Sequence, residues 1–312
     1  MPQDHIRPSK PEVSEFALGA RTYFERLQGE ICAALEHADH VAKFSVDRWD
    51  REGGGGGVSR VIQDGALFEK GGVNISEVTG DLPERLAESM NVATTQFYAT
   101  GISLVLHPRS PMVPTVHMNY RYFEQQDGNG WFGGGSDLTP YYPVLEDIVH
   151  FHRVLKRACD AHDSAYYPKF KRWCDEYFFV RHRQERRGVG GIFFDYLKGD
   201  RARNFAFVQS AGNVFLESYL PIVERRRDLP WGERERRWQL LRRGRYVEFN
   251  LVYDRGTLFG LETGARAESV LMSLPPEARW EYAMRPEPGS REAELVALLM
   301  QPRDWVMEYE GK

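Results

Sequence analysis

Hydrophobic positions follow two different periods along the chain, and these periods predict its secondary structure. Apolar side chains recur every three or four residues over residues 14–38, which predicts an amphipathic first helix with Ser14 at its N-cap. The same period predicts helices in five further segments: residues 145–161, 168–183, 204–227, 232–243 and 290–300. Strand-type runs occupy other segments: residues 44–49, 58–62, two runs within 96–123, 190–196 and 246–253. Because strands and helices are clustered, we predict one α+β domain over residues 1–312, with a large antiparallel sheet flanked by helices on both faces.

The two runs within residues 96–123 place polar side chains on one face of the predicted sheet. Side chains alternate along a strand, so Ser103 and His107 share a face of the first run. In the second run the polar face carries His117, Asn119 and Arg121, and the opposite face carries Val116, Met118, Tyr120 and Tyr122. A return through the intervening proline-rich turn brings the two polar faces together as a binding site. The alternative is a polar, solvent-facing side of a sheet edge.

Composition and charge narrow the class of protein. The 312 residues include 41 Lys plus Arg against 45 Asp plus Glu, a net charge of −4, so nucleic acid is not expected as a partner. No apolar run approaches the roughly 18 residues of a membrane-spanning helix. The three cysteines are scattered and form no CxxC, which argues against disulfides and cysteine-held metals and favours a reducing cytoplasm. Residues 1–13 lack the features of a signal peptide and are predicted to be flexible.

Three segments resemble ligand-binding motifs but do not meet the requirements of those motifs. Residues 128–133 match GxGxxG but lead into no predicted helix, so a dinucleotide site is rejected. The five glycines at 53–57 lack the Lys-Ser/Thr of a P-loop and predict a flexible hairpin tip, with a mobile lid as the functional alternative. The arginines of residues 225–245 are interleaved with four acidic residues: Glu224, Asp228, Glu233 and Glu235. This spacing predicts a solvent-exposed helix face with salt bridges between its side chains.

Histidines and carboxylates supply the remaining candidate chemistry. Neutral imidazoles bind divalent metals, and four histidines are candidates: His107, His117, His152 and His182. No HxH pair on a strand and no HExxH spacing supports a metal site, and structural roles are the alternative for His152 and His182. In the predicted strand 246–253, alternation places Glu248 and Asn250 on the same face as Asp254.

Five long segments carry a more specific signal: GISLVLHP at residues 101–108, VHMNYR at 116–121, WFGGGSDLTP at 131–140, GVGGIFFD at 188–195 and GRYVEFNLVYDRGT at 244–257. Within a likeness that runs in unbroken order from about residue 14 to Val306, these segments closely resemble the oxygen-dependent coproporphyrinogen III oxidase family. The resemblance implies a cytoplasmic, homodimeric enzyme of haem biosynthesis. Such an enzyme oxidatively decarboxylates two propionates of coproporphyrinogen III to vinyl groups, giving protoporphyrinogen IX, CO2 and H2O2.

The resemblance also implies roles for individual residues. Substrate-binding positions fall on Ser103, Asn119, Tyr120 through its backbone, Arg121, Arg255, Gly264, Ala265 and Arg266. Catalytic positions fall on His117 as a proton donor and on the carboxylates Asp254 and Asp137. Candidate ligands for a divalent cation such as manganese fall on His107, His117, His152 and His182, and the dimer-forming segment falls on residues 246–281. Ala265 stands where many members of the family have glycine, so the backbone conformation there is the one open point.

The sequence contains no motif for an organic cofactor, so we expect electrons to pass directly from an electron-rich pyrrole to molecular oxygen. Asp254 first, and Asp137 second, is expected to hold and deprotonate a pyrrole N–H, while Arg121 or Arg266 orients the reacting propionate. Two other classes stay open. One is a non-catalytic tetrapyrrole or haem carrier with a histidine as axial ligand. The other is a mononuclear metal oxygenase built on the histidines.

Overall fold

Seven strands form one antiparallel sheet in the computed structural model, which describes residues 13–52, 54–82, 95–262 and 265–309. The strands of this part of the chain are β1 (Ser45–Asp50), β2 (Gly55–Gln63), β3 (Phe68–Asp81), β4 (Gln96–Pro108), β5 (Thr115–Gln125), β6 (Gly130–Thr139), β7 (Phe179–Val180), β8 (Glu185–Arg186) and β9 (Gly190–Leu197). Their order across the sheet is β1-β2-β3-β4-β5-β6-β9, and β7 pairs separately with β8. Residues 1–12 of the segment predicted to be flexible lie outside the described residues.

Helices lie against both faces of this sheet, which confirms the predicted α+β class. They are α1 (Glu15–Asp39), α2 (Leu145–Asp160), α3 (Tyr166–Tyr177), α4 (Arg201–Asn213), α5 (Phe215–Arg226), α6 (Glu233–Val252), α7 (Arg255–Glu262), α8 (Ala267–Leu271) and α9 (Arg291–Met300). Ser14 caps α1 as predicted, since its Oγ accepts a hydrogen bond from the Ala17 amide at 3.1 Å. The buried side of α1 joins the main apolar core, whereas α8 covers the other face, where Ser269 Oγ lies 3.0 Å from Ser59 Oγ of β2. Among the described residues, no helix is long and apolar enough to cross a membrane.

The predicted pairing of the two central strands is confirmed. β4 lies between β3 and β5, and its Ser103 stands opposite Asn119 while Val105 stands opposite His117. The alternate side chains of β5 are fully buried in the apolar core: Val116, Met118, Tyr120 and Tyr122. The alternative of a polar sheet edge is therefore wrong, because the polar face belongs to the middle of the sheet.

The glycine-rich segment is a paired strand for most of its length, so the predicted flexible tip is wrong there. Gly56 and Gly57 of β2 pair with β1 on one side and with β3 on the other. A Cβ at Gly57 would lie 2.3 Å from Cζ2 of Trp49 and 2.4 Å from the Ile75 carbonyl oxygen. Glycine is needed here because an indole ring and a neighbouring strand approach the backbone closely. Gly53 lies outside the described residues.

Three predicted elements have different bounds. Residues 246–253 are not a strand but the last turns of α6, because the buried side chains Tyr246, Phe249 and Asn250 recur at helical spacing. The helix predicted over 168–183 ends at Tyr177 and is followed by β7. The helix predicted over 204–227 divides at Val214 into α4 and α5.

The arginines of residues 225–245 are salt-bridged as predicted, but to carboxylates of other elements. Arg226 pairs with Asp147 of α2 at 2.7 Å, and Arg236 pairs with Glu69 of β3 at 2.6 Å. These arginines therefore tie α5 and α6 to the rest of the domain. The GxGxxG segment is likewise structural, since it is a turn that runs into β6.

Candidate active site

A cavity of about 470 Å³ lies on the polar face of the sheet, against α6, α7 and α8. Seven of the predicted site residues line it: Ser103, His117, Asn119, Arg121, Asp254, Ala265 and Arg266. The register of β4 and β5 brings the first four together, because their side chains lie on the same face of the two paired strands and form one wall of the cavity, the polar floor. A volume of this size is typical of small-molecule sites.

The other predicted site residues do not line this cavity. The Tyr120 side chain is fully buried on the opposite face of the sheet, so only its backbone lies toward the polar face. Asp137 lies behind His117, and Arg255 projects from the start of α7 toward Asp195. Gly264 lies outside the described residues.

His117 and Asp137 form a hydrogen-bonded pair because β5 and β6 place them directly opposite each other. His117 Nδ1 donates to Asp137 Oδ1 at 2.7 Å, which leaves Nε2 for a ligand in the cavity. A carboxylate at Nδ1 fixes both the tautomer and the orientation of an imidazole. His117 is therefore positioned to give or take a proton at Nε2.

Arg187 holds the other side of Asp137. Its Nη2 donates to both carboxylate oxygens at 2.9 and 3.0 Å, and its Nη1 donates to Asn250 Oδ1 at 2.8 Å. The guanidinium carbon lies 4.0 Å from the centre of the Phe178 ring, an arrangement that favours a buried cation. Burial alone would raise the pKa of Asp137, but the Arg187 charge and the His117 hydrogen bond hold that pKa below its ordinary value. Asp137 is thus an ionised group that can act on a ligand only through His117.

Asp254 is the predicted carboxylate that reaches the cavity wall, and it also begins α7. Its Oδ2 accepts hydrogen bonds from the amide and hydroxyl of Thr257 at 2.8 and 2.9 Å, as an N-cap does. Its Oδ1 accepts a hydrogen bond from the Tyr177 hydroxyl at 2.9 Å. Burial, followed by the Asp254 charge, raises the pKa of Tyr177 to about 12, so this hydroxyl stays protonated and donates. A carboxylate offers about four acceptor sites, so Asp254 retains capacity for a donor on a ligand.

Guanidinium groups lie at two ends of the cavity, each beside an acidic partner. At the β9 end, Arg121 Nη2 and Arg255 Nη2 lie 2.8 and 3.6 Å from the two oxygens of Asp195. At the β1 end, Arg266 Nη1 lies 2.6 Å from Asp47 Oδ2. Arg121 is on β5 and Asp47 is on β1, so these two groups are separated by four inter-strand spacings, about 19 Å along the sheet at about 4.8 Å each. The cavity can therefore hold an extended ligand with anionic groups at opposite ends.

The candidate metal ligands do not converge. His107 donates from Nε2 to the Ser273 carbonyl oxygen at 2.9 Å, and burial followed by the Arg243 charge holds its pKa well below the ordinary value. His152 donates from Nε2 to the Val189 carbonyl oxygen at 3.1 Å, and burial lowers its pKa to about 3. Both rings are neutral, and their second nitrogens face hydroxyl groups at 3.3 and 2.9 Å.

His182 lies elsewhere, in the turn between β7 and β8. Its Nε2 lies 2.7 Å from Glu248 Oε2 and its Nδ1 lies 2.7 Å from the Tyr253 hydroxyl. Within the described ranges, no three His, Cys, Asp or Glu side chains are placed to hold a metal ion. The residues present therefore do not fit a divalent cation held by these four histidines.

Comparison with known protein families agrees with the resemblance seen in the sequence. The family model for coproporphyrinogen III oxidase matches residues 20–305, nearly the whole chain. The matched span contains every residue that lines the cavity. The chain therefore belongs to the coproporphyrinogen III oxidase family, whose members are oxidoreductases of haem biosynthesis.

Proposed function

We propose that the chain is an oxygen-dependent oxidase that converts two propionates of coproporphyrinogen III to vinyl groups. For each propionate, one O2 and one proton are consumed, the side chain loses CO2, and the two electrons removed reduce oxygen to H2O2. Reaction at a second propionate gives protoporphyrinogen IX. The observation that carries this proposal is the cavity itself, which combines anion-binding ends, a His–Asp pair and a second carboxylate in a member of this family.

The chemistry of the substrate matches these groups. Coproporphyrinogen III carries four carboxylates and four pyrrole N–H donors on a flexible ring system. Guanidinium forks bind carboxylates bidentately, which suits Arg121 and Arg266 at the two ends. Asp254 is the acceptor that suits a cluster of N–H donors, while Phe178 and Phe193 supply an apolar wall.

We infer a division of roles between the two carboxylates. Asp254 accepts a proton from a pyrrole N–H, and the electron-rich pyrrole then donates an electron pair to O2. The peroxide so formed takes the β-hydrogen of the propionate as a proton. The electrons of that C–H bond form a double bond to the ring. The carbon–carbon bond to the carboxylate then breaks, its electrons form the vinyl double bond, and the ring electrons expel the peroxide, which takes a second proton and leaves as H2O2. Asp254 returns its proton to the pyrrole nitrogen. His117 Nε2 is positioned to supply the second proton to the peroxide, and Asp137 orients His117.

Oxygen is the acceptor that fits the residues present. An oxidase that does not use oxygen needs another electron acceptor, and a cysteine-held iron–sulfur cluster is a common one. The three cysteines of this chain are buried on separate helices, Cys32 on α1, Cys159 on α2 and Cys174 on α3, and none lines the cavity. They do not fit such a cluster. Direct transfer from the substrate to oxygen needs only the groups already described.

One assay tests the proposal against its alternatives. Purified protein and coproporphyrinogen III are mixed without oxygen, oxygen is then admitted, and vinyl-porphyrin, CO2 and H2O2 are measured. We expect no product before oxygen, and afterwards one O2 consumed for each vinyl group formed. Equal product formation under argon would contradict the oxygen dependence. Tight porphyrin or haem binding with no oxygen consumption would favour the carrier instead.

The Asp254→Asn variant tests the assignment of the base. Asparagine is also a good N-cap, so α7 should keep its start while the negative charge is lost. We expect turnover to fall by at least about 100-fold, in the range of a lost general base, with binding of oxidised coproporphyrin retained. Turnover near that of the unmodified protein would remove Asp254 from the chemistry.

We further propose that the active protein is a cytoplasmic homodimer in which residues 246–281 meet their counterpart. Apolar side chains of this segment are exposed in the single chain, including Leu251, Val252, Leu261 and Trp280. In a homodimer the partner would cover these side chains, and burial of exposed apolar surface is what favours subunit association. Sedimentation of the protein at micromolar concentration should give twice the chain mass of 36.0 kDa, and a monomer would contradict this.

A further inference from the structure

The edge strand β1 and the residue that follows it also contribute side chains to the cavity, Trp49 and Arg51. Asp47 and Trp49 of β1 stand opposite Ser59 and Gly57 of β2, on the face that carries the site. Arg51, which follows the strand, continues this alternation, and both Trp49 and Arg51 line the cavity. Arg48 alternates to the opposite face and is exposed.

The hairpin that carries Arg51 is tightly fixed. Arg51 N donates to the Gly55 carbonyl oxygen at 3.0 Å, and Gly54 N donates to the Arg51 carbonyl oxygen at 2.9 Å. Gly54 and Gly55 have φ of 103° and 94°, and a Cβ at Gly55 would lie 2.0 Å from the Glu77 carbonyl oxygen. Only glycine fits this path. The contacts with Gly54 and Gly55 therefore hold the backbone of Arg51 beside the cavity.

Arg51 differs from the other guanidinium groups near the cavity in its partners. Arg121 and Arg255 share Asp195, Arg266 binds Asp47, and Arg187 binds Asp137. Within residues 13–52, 54–82, 95–262 and 265–309, the Arg51 side chain forms no ion pair and one weak hydrogen bond, from Nη1 to the Thr79 carbonyl oxygen at 3.5 Å. Its charge is thus available to an anion in the cavity.

Trp49 lies two residues from Arg51 on the same face, about 7 Å away by strand geometry. Its indole Nε1 donates to Ser59 Oγ at 3.0 Å, and the ring packs against the bare backbone of Gly57. A fixed aromatic ring next to a guanidinium group suits a ligand with a carboxylate on an apolar arm. We propose that Arg51 and Trp49 form a subsite that binds one propionate arm of the tetrapyrrole, resting on the function proposed above.

The arm bound here is one that does not react. The Arg51 guanidinium lies beside Thr79 of β3, which pairs with Tyr98 of β4. His117 pairs with Val105, seven residues or about 24 Å further along β4. A contact that holds a non-reacting arm equally in the ground state and in the transition state changes the affinity for substrate and not the chemical step. Arg51 is therefore a specificity-determining residue, and its loss affects KM more than kcat.

Arg51→Gln tests the subsite, with Arg48→Gln as the matched control on the same strand. A charged hydrogen bond contributes about 1.5–3 kcal/mol, or roughly 10- to 150-fold in affinity, and partial exposure reduces this toward the lower figure. We expect Arg51→Gln to raise the Kd of oxidised coproporphyrin III, measured by fluorescence quenching, by about tenfold, and to raise KM similarly. The kcat should stay within about threefold, and Arg51→Lys should recover part of the affinity.

A set of substrate analogues makes the test specific. Each of four analogues replaces one propionate by an ethyl group. For one of them, the unmodified protein and Arg51→Gln should bind with equal Kd, because the arm that Arg51 holds is missing. An unchanged Kd for coproporphyrin III in Arg51→Gln, or an equal loss in Arg48→Gln, would overturn the subsite. Failure of the proposed function is a separate result, since the unmodified protein would then bind the porphyrin and form no vinyl product.

Discussion

Replacing Arg187 by glutamine should destabilise the fold strongly, because it breaks a fully buried ion pair. The side chains of Arg187 and Asp137 are 2% and 1% exposed. Removing one partner of such a pair leaves an uncompensated buried charge, which costs about 3–5 kcal/mol. Asn250 Oδ1 loses its donor as well. We therefore expect the free energy of unfolding at pH 7, measured by urea titration, to fall by about 3–5 kcal/mol.

The cost of this substitution should depend on pH. In the native protein the pKa of Asp137 is lowered, so its contribution to stability is present at neutral pH and is lost as pH falls through that lowered value. Without Arg187, burial dominates and raises the pKa of the carboxyl group. The variant then gains relative stability when the carboxyl group is protonated. The difference between the two proteins should be largest at pH 7 and should narrow as pH falls toward the ordinary Asp pKa of about 3.9.

A double-mutant cycle separates this ion pair from general damage to the core. Asp137→Asn combined with Arg187→Gln removes both charges, so the double variant should be more stable than the sum of the single effects predicts, by up to about 3 kcal/mol. The neighbouring Arg186→Gln is the control, because Arg186 forms no ion pair with the other described residues. A cost below about 1 kcal/mol for Arg187→Gln, or a cost that does not change with pH, would refute the reasoning.

Three further predictions follow from other contacts. Asp39→Asn should lower the free energy of unfolding, measured by urea titration, by about 2–4 kcal/mol. The reason is that the buried Asp39 carboxylate accepts hydrogen bonds from four backbone amides, those of Ala42, Ala66, Leu67 and Phe68. A decrease of less than about 0.5 kcal/mol, the size expected for a neutral surface substitution, would contradict this. Gly133→Ala should raise KM by about tenfold, since its Cβ would lie 2.6 Å from Asp195 Oδ1 and 2.9 Å from Arg121 Nη2. Gly19→Ala, with no atom within 4 Å, is its control and should leave KM unchanged. Exhaustive chelation should leave turnover within about twofold, because the four candidate histidines do not converge on one point; loss of activity restored by manganese would contradict this.

The polar floor of the cavity could be predicted from the sequence because the two central strands obey a simple rule. One face of β5 is apolar and fully buried, so its other face must carry Asn119 and Arg121 on the same side. The proline-rich turn between β4 and β5 then fixes which strands are neighbours. Both features are local, which is why they can be read from a single segment.

The pairing of His117 with Asp137 could not be predicted, because β6 does not look like a strand. Its run of Gly133, Gly134 and Gly135 lacks the β-branched residues that mark strands. In the structure these glycines are needed: Gly133 leaves room for the Arg121–Asp195 pair, and a Cβ at Gly135 would lie 2.2 Å from the Ile192 carbonyl oxygen. A constraint that comes from neighbouring strands leaves no periodic signal in the sequence.

Arg187 escaped prediction for a related reason. Its partners Asp137 and Asn250 lie 50 and 63 residues away in the chain, and residues 246–253 were predicted as a strand with Asn250 beside Glu248. In the helix α6 these two side chains separate: Asn250 turns inward to Arg187, while Glu248 binds Arg183 and His182 at the surface. Because residues 246–253 are predicted as a strand, the sequence does not predict that Arg187 binds Asp137 beside His117. For the same reason it does not predict that His182 lies at the surface against Glu248.

The arrangement of charges explains how a nearly neutral chain can bind a polyanion. Arg121, Arg266 and Arg187 each have a carboxylate partner, so the cavity presents little net charge before the substrate enters. A guanidinium group has five N–H donors, and Arg121 uses only part of them on Asp195, so a ligand carboxylate can share the fork without displacing Asp195. Among these guanidinium groups, only Arg51 forms no ion pair with the described residues, so a ligand carboxylate bound there would have no acidic partner to share the guanidinium with. Affinity for the tetrapyrrole should therefore depend more on Arg51 than on the paired arginines, whereas the paired arginines should determine how the reacting arm is oriented.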